Sequence, residues 1–509
     1  MSPVPAGTVQ LGNAEPPIVL AIDIGSSSVR ALAVDRWGRV IDGCGAVWAH
    51  RLRTPEAGAA VADAEQLLRR TSSCVDAAVE GLGRRGADLS AVGVTTLVSN
   101  VVGVDREGLP LTPLYTYADV RAESDARQLR NELDEEQIHD RTGCRLHTSY
   151  LPARLHWFRR TRPEEFGAID RWLSIGELLS LRLFGRTAVS HSVASWSGLL
   201  DRRRLQWDES VLSWLEVSPR QLSEVVDFAE PFAGLTGRFA GRWPSLRQVP
   251  WFLAVGDGAV ANVGCGCVTP RRMALSVGTS SALRLVTEEV PERLPRALWC
   301  YRVDRRRLLP GGALTEGGNL YAWARRALRL GRPEQVERAL AAMPPDSHGL
   351  TVLPFLSGER SPGWAGNARA AFQGVTSTTS ALDMLRAGLE AVALRLTIVF
   401  EELARVSGEV EAVVAGGGAI SRSPAWLQII ADAFGRQISA VGGIETTCRG
   451  VGLLVLEALG ALDAPLEEVA LLPGRTYEPI AGHTAIYRRA MERQQRLYDE
   501  LVANCEAGE

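Results

Sequence analysis

Val255-Gly-Asp-Gly-Ala-Val-Ala-Asn-Val-Gly264 sets one carboxylate, Asp257, on a glycine-flanked turn ahead of a helix of small residues. Downstream, the strand-like run Ala274-Leu-Ser-Val-Gly-Thr-Ser-Ser281 breaks at Gly278-Thr-Ser280, a turn whose backbone N–H groups can face a phosphate. An acid able to take a proton and a cradle able to hold phosphate thus lie close in sequence. An isolated Asp-Gly is more often only a turn. The weight therefore falls on a second cradle of the same kind near the N-terminus.

That second cradle is Ile18-Val-Leu-Ala-Ile-Asp-Ile-Gly-Ser-Ser-Ser-Val-Arg-Ala-Leu-Ala-Val-Asp35, which predicts two strands joined by a tight turn. The first strand is apolar enough to be buried on both faces, and Asp23 ends it. A carboxylate there costs several kcal/mol to desolvate unless a cation or donor meets it, which points to a metal-bound role. Gly25, Ser26 and Ser27, with Ser28 behind them, offer donors to a phosphate, although a polar hairpin loop would read the same way.

Outward from these cradles the pattern is α/β. A third strand runs from Val40 to Ala49, then a helix starts near Asp63 or Ala64 with Leu67, Leu68, Cys74, Val75, Ala78 and Leu82 at helical spacing. Val92–Leu97 and Asn100–Asp105 read as further strands. The segment from Leu114 to Asp227 is richer in helix and mixes aromatic with charged residues, the place to look for a substrate pocket. Ala229–Pro250 reads as a connection. The second half repeats the opening plan: strand, Gly278-Thr279-Ser280 turn, strand, then Leu309–Gly318 leading into a helix, and a long amphipathic helix from Leu382 to Val406. Val410–Ala415 ends in Gly416, Gly417 and Gly418, where backbone can approach a flat ligand or a phosphate, or simply turn.

A chain of 509 residues exceeds what one core usually organises, so two large domains are expected. Hydrophobic content of 46% and charged content of 23% fit a soluble globular protein. A net charge of -3 gives no reason to expect nucleic acid or an anionic membrane as partner. Clusters at Arg202–Arg204 and Arg305–Arg307 read as solvated loops. The sequence contains no lysine, so all 56 basic residues are arginine, which excludes the Walker A loop, the protein-kinase lysine and Schiff-base chemistry. Eight cysteines without a C-x-x-C pair read as reduced thiols, Cys265 and Cys267 as buried small residues. Histidine supplies no H-E-x-x-H. The first seventeen residues lack the features of a signal peptide and no apolar run is long enough to cross a bilayer, so a cytoplasmic location is expected.

Five segments together, in order from Ile18 to about Leu462, resemble the FGGY family of carbohydrate kinases. They are Asp23-Ile-Gly-Ser-Ser-Ser28, Asp257–Gly264, Gly278-Thr-Ser280, Leu353-Pro-Phe-Leu-Ser-Gly-Glu-Arg-Ser-Pro362 and Gly416-Gly-Gly-Ala-Ile-Ser421. The resemblance implies two related actin-like, ribonuclease H-like ATPase domains flanking a cleft, here 18–250 and 251–509 after a flexible leader 1–17. It implies ATP and Mg²⁺, with Asp257 as general base and Asp23 as metal ligand. Gly25, Ser26, Ser27, Gly278, Thr279, Gly318, Gly417 and Gly418 would border the nucleotide, and Val98, Ser99, Asp119, Arg121 and Asp257 the carbohydrate. Two positions depart from the family: Val98-Ser99 stands where Met-His is frequent, and Tyr117 where Trp is usual.

Asp140–His147, Trp172–Glu177, Gly198–Asp201 and Leu205–Asp208 are similar to the gluconate-kinase branch, as is Asp257-Gly. The expected reaction is ATP-dependent phosphorylation of a sugar acid, with Arg121 and Arg145 as candidate partners of its carboxylate. A ketose kinase of the xylulose or ribulose type is the alternative, and an actin/Hsp70-like ATP-driven binding protein the rival from another class. A homodimer stays open.

Overall fold

The computed structural model describes residues 7–441, 445–468 and 474–503. The first hairpin forms as β1 (Ile18–Ile24) and β2 (Ser28–Val34), antiparallel, with Asp23 opposite Arg30. Every residue of β1 is buried, as a run apolar but for Asp23 dictates for a strand covered on both faces. β3 (Val40–Ala49) continues the meander beside β2. α1 (Ala64–Leu82) starts where the Asp63 carboxylate accepts the Gln66 N–H, and it buries every apolar position marked by the helical spacing. β4 (Leu89–Thr96) and β5 (Val255–Gly256) add in parallel on the other side of β1. The order is β3-β2-β1-β4-β5, with Thr8–Val9 outside β3.

The second sheet repeats this plan. β6 (Arg272–Val277) and β7 (Ser281–Leu285) form the hairpin, β8 (Leu308–Leu314) extends it antiparallel, and β9 (Ala412–Gly416) and β10 (Ile438–Ala440) add in parallel. The order β8-β7-β6-β9-β10 reproduces the first sheet strand for strand, with Trp299–Arg302 and Arg475–Tyr477 at the edges. The doubled strand-turn-strand pattern of the sequence is therefore a doubled domain.

Two helices join the halves. α2 (Asp257–Gly264) follows β5 of the first sheet, while α5 (Thr446–Ala458) comes from the second half of the chain and packs on the first sheet through Gly452 against Val34 and Val451 against Gly93. They cross at glycine: a Cβ on Gly450 would sit 1.8 Å from the Val260 carbonyl oxygen, and one on Gly264 1.8 Å from that of Thr446. One apolar cluster runs from Val19, Ala21 and Val34 through Val260, Val263 and Val451 to Ala282, Leu309 and Ala313 of the second sheet. Gly450→Ala is expected to destabilise the protein by about 1–3 kcal/mol through overpacking. The urea midpoint measures it, and an unchanged midpoint would mean that the helices can part.

Of the remaining helices, α3 (Gly318–Ala327) follows β8, and α4 (Ala381–Ser407) is the long helix of the second half. Expected as amphipathic, α4 is enclosed instead: Arg386 and Arg395 are themselves buried, on Glu390 and Glu359 respectively. Other expectations need correction too. The arginine clusters are not simply solvated: Arg202 is fully buried, donating to the Asp140 carbonyl and carboxylate, and Arg307 is buried between Asp304 and Glu457. Burial is tolerated because each guanidinium meets oxygen acceptors. Within residues 7–17 of the leader, otherwise largely exposed, Val9 and Ala14 are buried and Arg85 donates to the carbonyls of Leu11 and Ala14, which ties the segment down. The Ala229–Pro250 connection folds back on the first domain through Phe239, Trp243 and Leu246, because its aromatic residues have apolar area to hide. Asn100–Asp105 shortens to a strand Val102–Val104, paired with Arg171–Leu173 in a separate ribbon.

All seven described cysteines are buried free thiols, Cys265 and Cys267 among them. No helix among the described residues is long and apolar enough to cross a membrane.

Candidate active site

Asp257 opens α2, and its Oδ1 accepts the Gly258 N–H at 2.7 Å. Burial pushes its carboxyl from 3.8 up to about 6, the nearby Asp23 charge pushes the same way, and the Arg284 guanidinium and the Gly258 N–H oppose them. The native state therefore holds this proton more tightly than the unfolded chain, and ionising it costs stability as pH rises from 3.8 to about 6. Proton acceptance needs the ionised form. Activity should accordingly fall on the acid side as Asp257 takes up its proton, with an apparent pKa above the ordinary 3.8 and no higher than about 6, since a cation on Asp23 would offset that part of the rise; the pH profile of kcat/KM shows it. A profile with no acid limb above 3.8 would remove Asp257 from that role.

Asp23 is the penultimate residue of β1 in the first sheet, yet Thr447 at the start of α5 donates to its Oδ2 at 2.8 Å. Arg30 Nε lies 3.5 Å from the same oxygen while Arg30 also pairs with Glu445. Oδ1 is buried without a partner among the described residues, and burial raises the pKa of the group. An anionic oxygen held in place and lacking a donor is what a hard cation takes. The residues present therefore fit Mg²⁺. In the turn beyond, the Gly25 N–H donates to the Ser28 carbonyl at 2.9 Å, and a His50 ring nitrogen lies 2.9 Å from the Gly25 carbonyl oxygen. Ser26 is half-buried and Ser27 exposed.

Three loops of the second domain stack edge to edge. The Gly318 N–H donates to the Gly278 carbonyl at 2.8 Å, Asn319 to Thr279 at 3.1 Å, and Ala419 to Val277 at 3.1 Å. Gly417 has φ +114, and a Cβ there would lie 2.4 Å from the Val277 carbonyl oxygen, so only glycine fits. A Cβ on Gly318 would meet the Gly278 carbonyl oxygen at 2.8 Å and Ala419 at 2.9 Å. Thr279, Ser280, Gly417 and Gly418 remain exposed on this platform. The fold thus collects Gly278, Thr279, Gly318, Gly417 and Gly418, which are scattered in sequence.

On the other side of Asp257, a Cβ on Gly256 would come within 2.8 Å of both Val98 Cγ1 and Trp196 Nε1. Ser99 takes a positive φ of 51°, donates its hydroxyl to the Trp196 carbonyl at 2.5 Å and receives Arg154 on its own carbonyl at 2.8 Å. Val98 therefore lies against Gly256, the residue before Asp257, and Ser99 is tied to Trp196, which lies against it too. Asp119 and Arg121 form a closed unit: Arg121 donates twice to Asp119, pairs with Glu56 and stacks over Trp157, while Asp119 also accepts the Ala60 N–H. Arg145 is held by Glu135 and lines a cavity of about 360 Å³ with Arg130, His147 and Trp364; Asp257 is not in its lining. Both arginines expected to receive a carboxylate already have one.

Sequence inspection missed three contributors. Thr447 carries no motif, and Trp196 reaches the site only through the fold. Arg284 could have been noticed, since it is the one charged residue in the apolar strand Ser281-Ala-Leu-Arg-Leu285.

The N-terminal domain of the FGGY family of carbohydrate kinases matches residues 18–264 and the C-terminal domain residues 273–459. A gluconokinase of Bacillus subtilis (strain 168) is 28% identical, with 93% of this chain and 94% of that protein covered. A xylulose kinase of Escherichia coli (strain K12) is 26% identical, with 95% and 99% covered. The solved gluconate kinase from Lactobacillus acidophilus superposes with a TM-score of 0.86 at 23% identity, covering 95% of this chain and 98% of that one.

Proposed function

Because the chain belongs to the FGGY family of carbohydrate kinases, we propose that it transfers the γ-phosphoryl group of ATP to a hydroxyl of a small sugar acid of the gluconate type. The observation that carries the chemistry is the meeting of Asp257, its carboxyl pushed up to about 6, with the charge of Asp23, in a fold that also builds the glycine platform on the second domain. Asp257 takes the proton of the attacking hydroxyl, since a base works best with a pKa near the operating pH. The platform of Gly278, Thr279, Gly318, Gly417 and Gly418 carries the nucleotide, and Gly25, Ser26 and Ser27 face its phosphates across the cleft. Asp23, oriented by Thr447, holds Mg²⁺, which when bound supplies positive charge to the phosphate oxygens. Backbone donors and a metal suffice in a chain without lysine. Exclusion of water between the halves keeps ATP from hydrolysing.

The sugar-acid reading rests on the similarity to gluconokinases over nearly the whole chain. Xylulose kinases are also similar, and Val98-Ser99, by Gly256 and Trp196, alters the wall that touches the carbohydrate, so a ketose is the second candidate. An ATP-coupled assay over gluconate, xylulose, ribulose and glycerol tests the choice. A neutral ketose preferred more than about tenfold in kcat/KM, roughly 1.4 kcal/mol, overturns it. An ATP-driven binding protein would show no turnover on any of them.

A further inference from the structure

We propose that Arg284 is the cation that receives the substrate carboxylate, an inference that rests on the sugar-acid reading. Arg284 lies on β7, opposite Ala274 on β6 and Gly311 on β8, with Ala282, Leu283 and Leu285 buried around it. Its side chain reaches out of the sheet to the start of α2. A Cβ on Gly258 would come within 3.1 Å of its Nε and 3.3 Å of its Cζ, which puts the guanidinium against the residue that follows Asp257.

The guanidinium is short of partners. Nη1 donates to Ser276 Oγ at a long 3.3 Å, and Nε is buried with no acceptor among the described residues. No carboxylate among the described residues forms an ion pair with it, whereas Arg121, Arg145, Arg202 and Arg307 each have one. Asp257 feels its charge without reaching ion-pair distance, which leaves the base free to take a proton. Arg360 adds a second positive charge nearby.

The wall behind it is aromatic. Trp196 Cη2 lies 2.9 Å from the same Gly258 Cβ point, the Trp299 ring centre is 5.9 Å from Arg284 Cζ, and Tyr301 stacks on Trp196 at 3.7 Å and on Trp299 at 4.1 Å. An unpaired guanidinium in such surroundings is costly, and an arriving carboxylate recovers that cost in a charge-assisted hydrogen bond. The phosphate turn is a poorer match for this charge. Arg284 is four residues beyond Ser280, roughly 13 Å along an extended strand.

The test compares gluconate with gluconamide, a neutral relative that keeps the polyol chain, in ATP-coupled assays of the parent, Arg284→Met and Arg284→Gln. The parent should favour gluconate. Either variant should lose about 10–100-fold more in kcat/KM on gluconate, mostly through KM, than on gluconamide, so that the preference collapses, while the loss common to both substrates reports the charge that Arg284 exerts on Asp257. Thermal melting checks folding, and Arg284→Gln, able to keep a contact to Ser276, serves should the methionine variant not fold. If the parent accepts no sugar acid, the substrate reading fails and takes this inference with it. If the parent favours gluconate and the variants keep that preference, or lose both substrates equally, the reading stands and Arg284 is not the carboxylate's partner.

Discussion

Asp257→Asn should lower phosphoryl transfer by about 10²–10⁴ while leaving nucleotide binding within about twofold of the parent. The amide keeps the size of the carboxylate and can still accept the Gly258 N–H through its oxygen, so the opening of α2 has no reason to change. What disappears is the ability to take a proton. The loss belongs in kcat, because the proton moves in the transition state and hardly in the ground state. Stability moves in the opposite direction. The native site favours a neutral group at this position, since burial and the Asp23 charge both raise the pKa, so the variant should melt at or above the parent temperature at neutral pH. Lost activity with retained or increased stability is the signature of a catalytic base. Lost activity with a lower melting temperature would mark Asp257 as structural, and undiminished turnover would remove it from the reaction.

The parts of this molecule legible in the sequence are those fixed by local pattern. The β1–β2 and β6–β7 hairpins follow from apolar runs broken by glycine and hydroxyl residues, and Asp63 caps α1 as its side chain requires. What local pattern cannot carry is contact between distant segments. Nothing in Thr446–Ala458 says that this helix covers the first sheet, because a helix face of small residues specifies closeness and not a partner. The same limit governs charge. Arg202 and Arg284 look alike in sequence, yet one is enclosed by the oxygens of Asp140 and the other pairs with no carboxylate among the described residues. Arg121 and Arg145 each stand among family-like residues, which is what points to a ligand for them in the sequence. Their ion pairs with Asp119, Glu56 and Glu135 depend on chain crossings that composition does not encode.

Asp23→Asn should raise the Mg²⁺ concentration needed for half-maximal rate by about 10–100-fold, with part of the lost activity returning at high Mg²⁺. The substitution is mild in shape: the amide oxygen can still accept from Thr447, so the contact between β1 and the start of α5 survives. It removes the negative charge that Arg30 balances only in part, since Arg30 is shared with Glu445 and stands 3.5 Å away. Asp23 Oδ1, buried without a partner among the described residues, then becomes a neutral amide oxygen, which binds a hard cation less well than a carboxylate, or is replaced by an amide nitrogen, which does not bind one. The metal-free protein offers a second readout. Asp23 is one of the charges that hold the Asp257 proton on, so without it Asp257 should ionise at a pH below its value of about 6. Following the titration of Asp257 by NMR in parent and variant, in the absence of divalent ions, measures that shift. Superimposable Mg²⁺ titrations at matched ATP, together with an unmoved Asp257, would reduce Asp23 to a residue that ties the two halves together through Thr447.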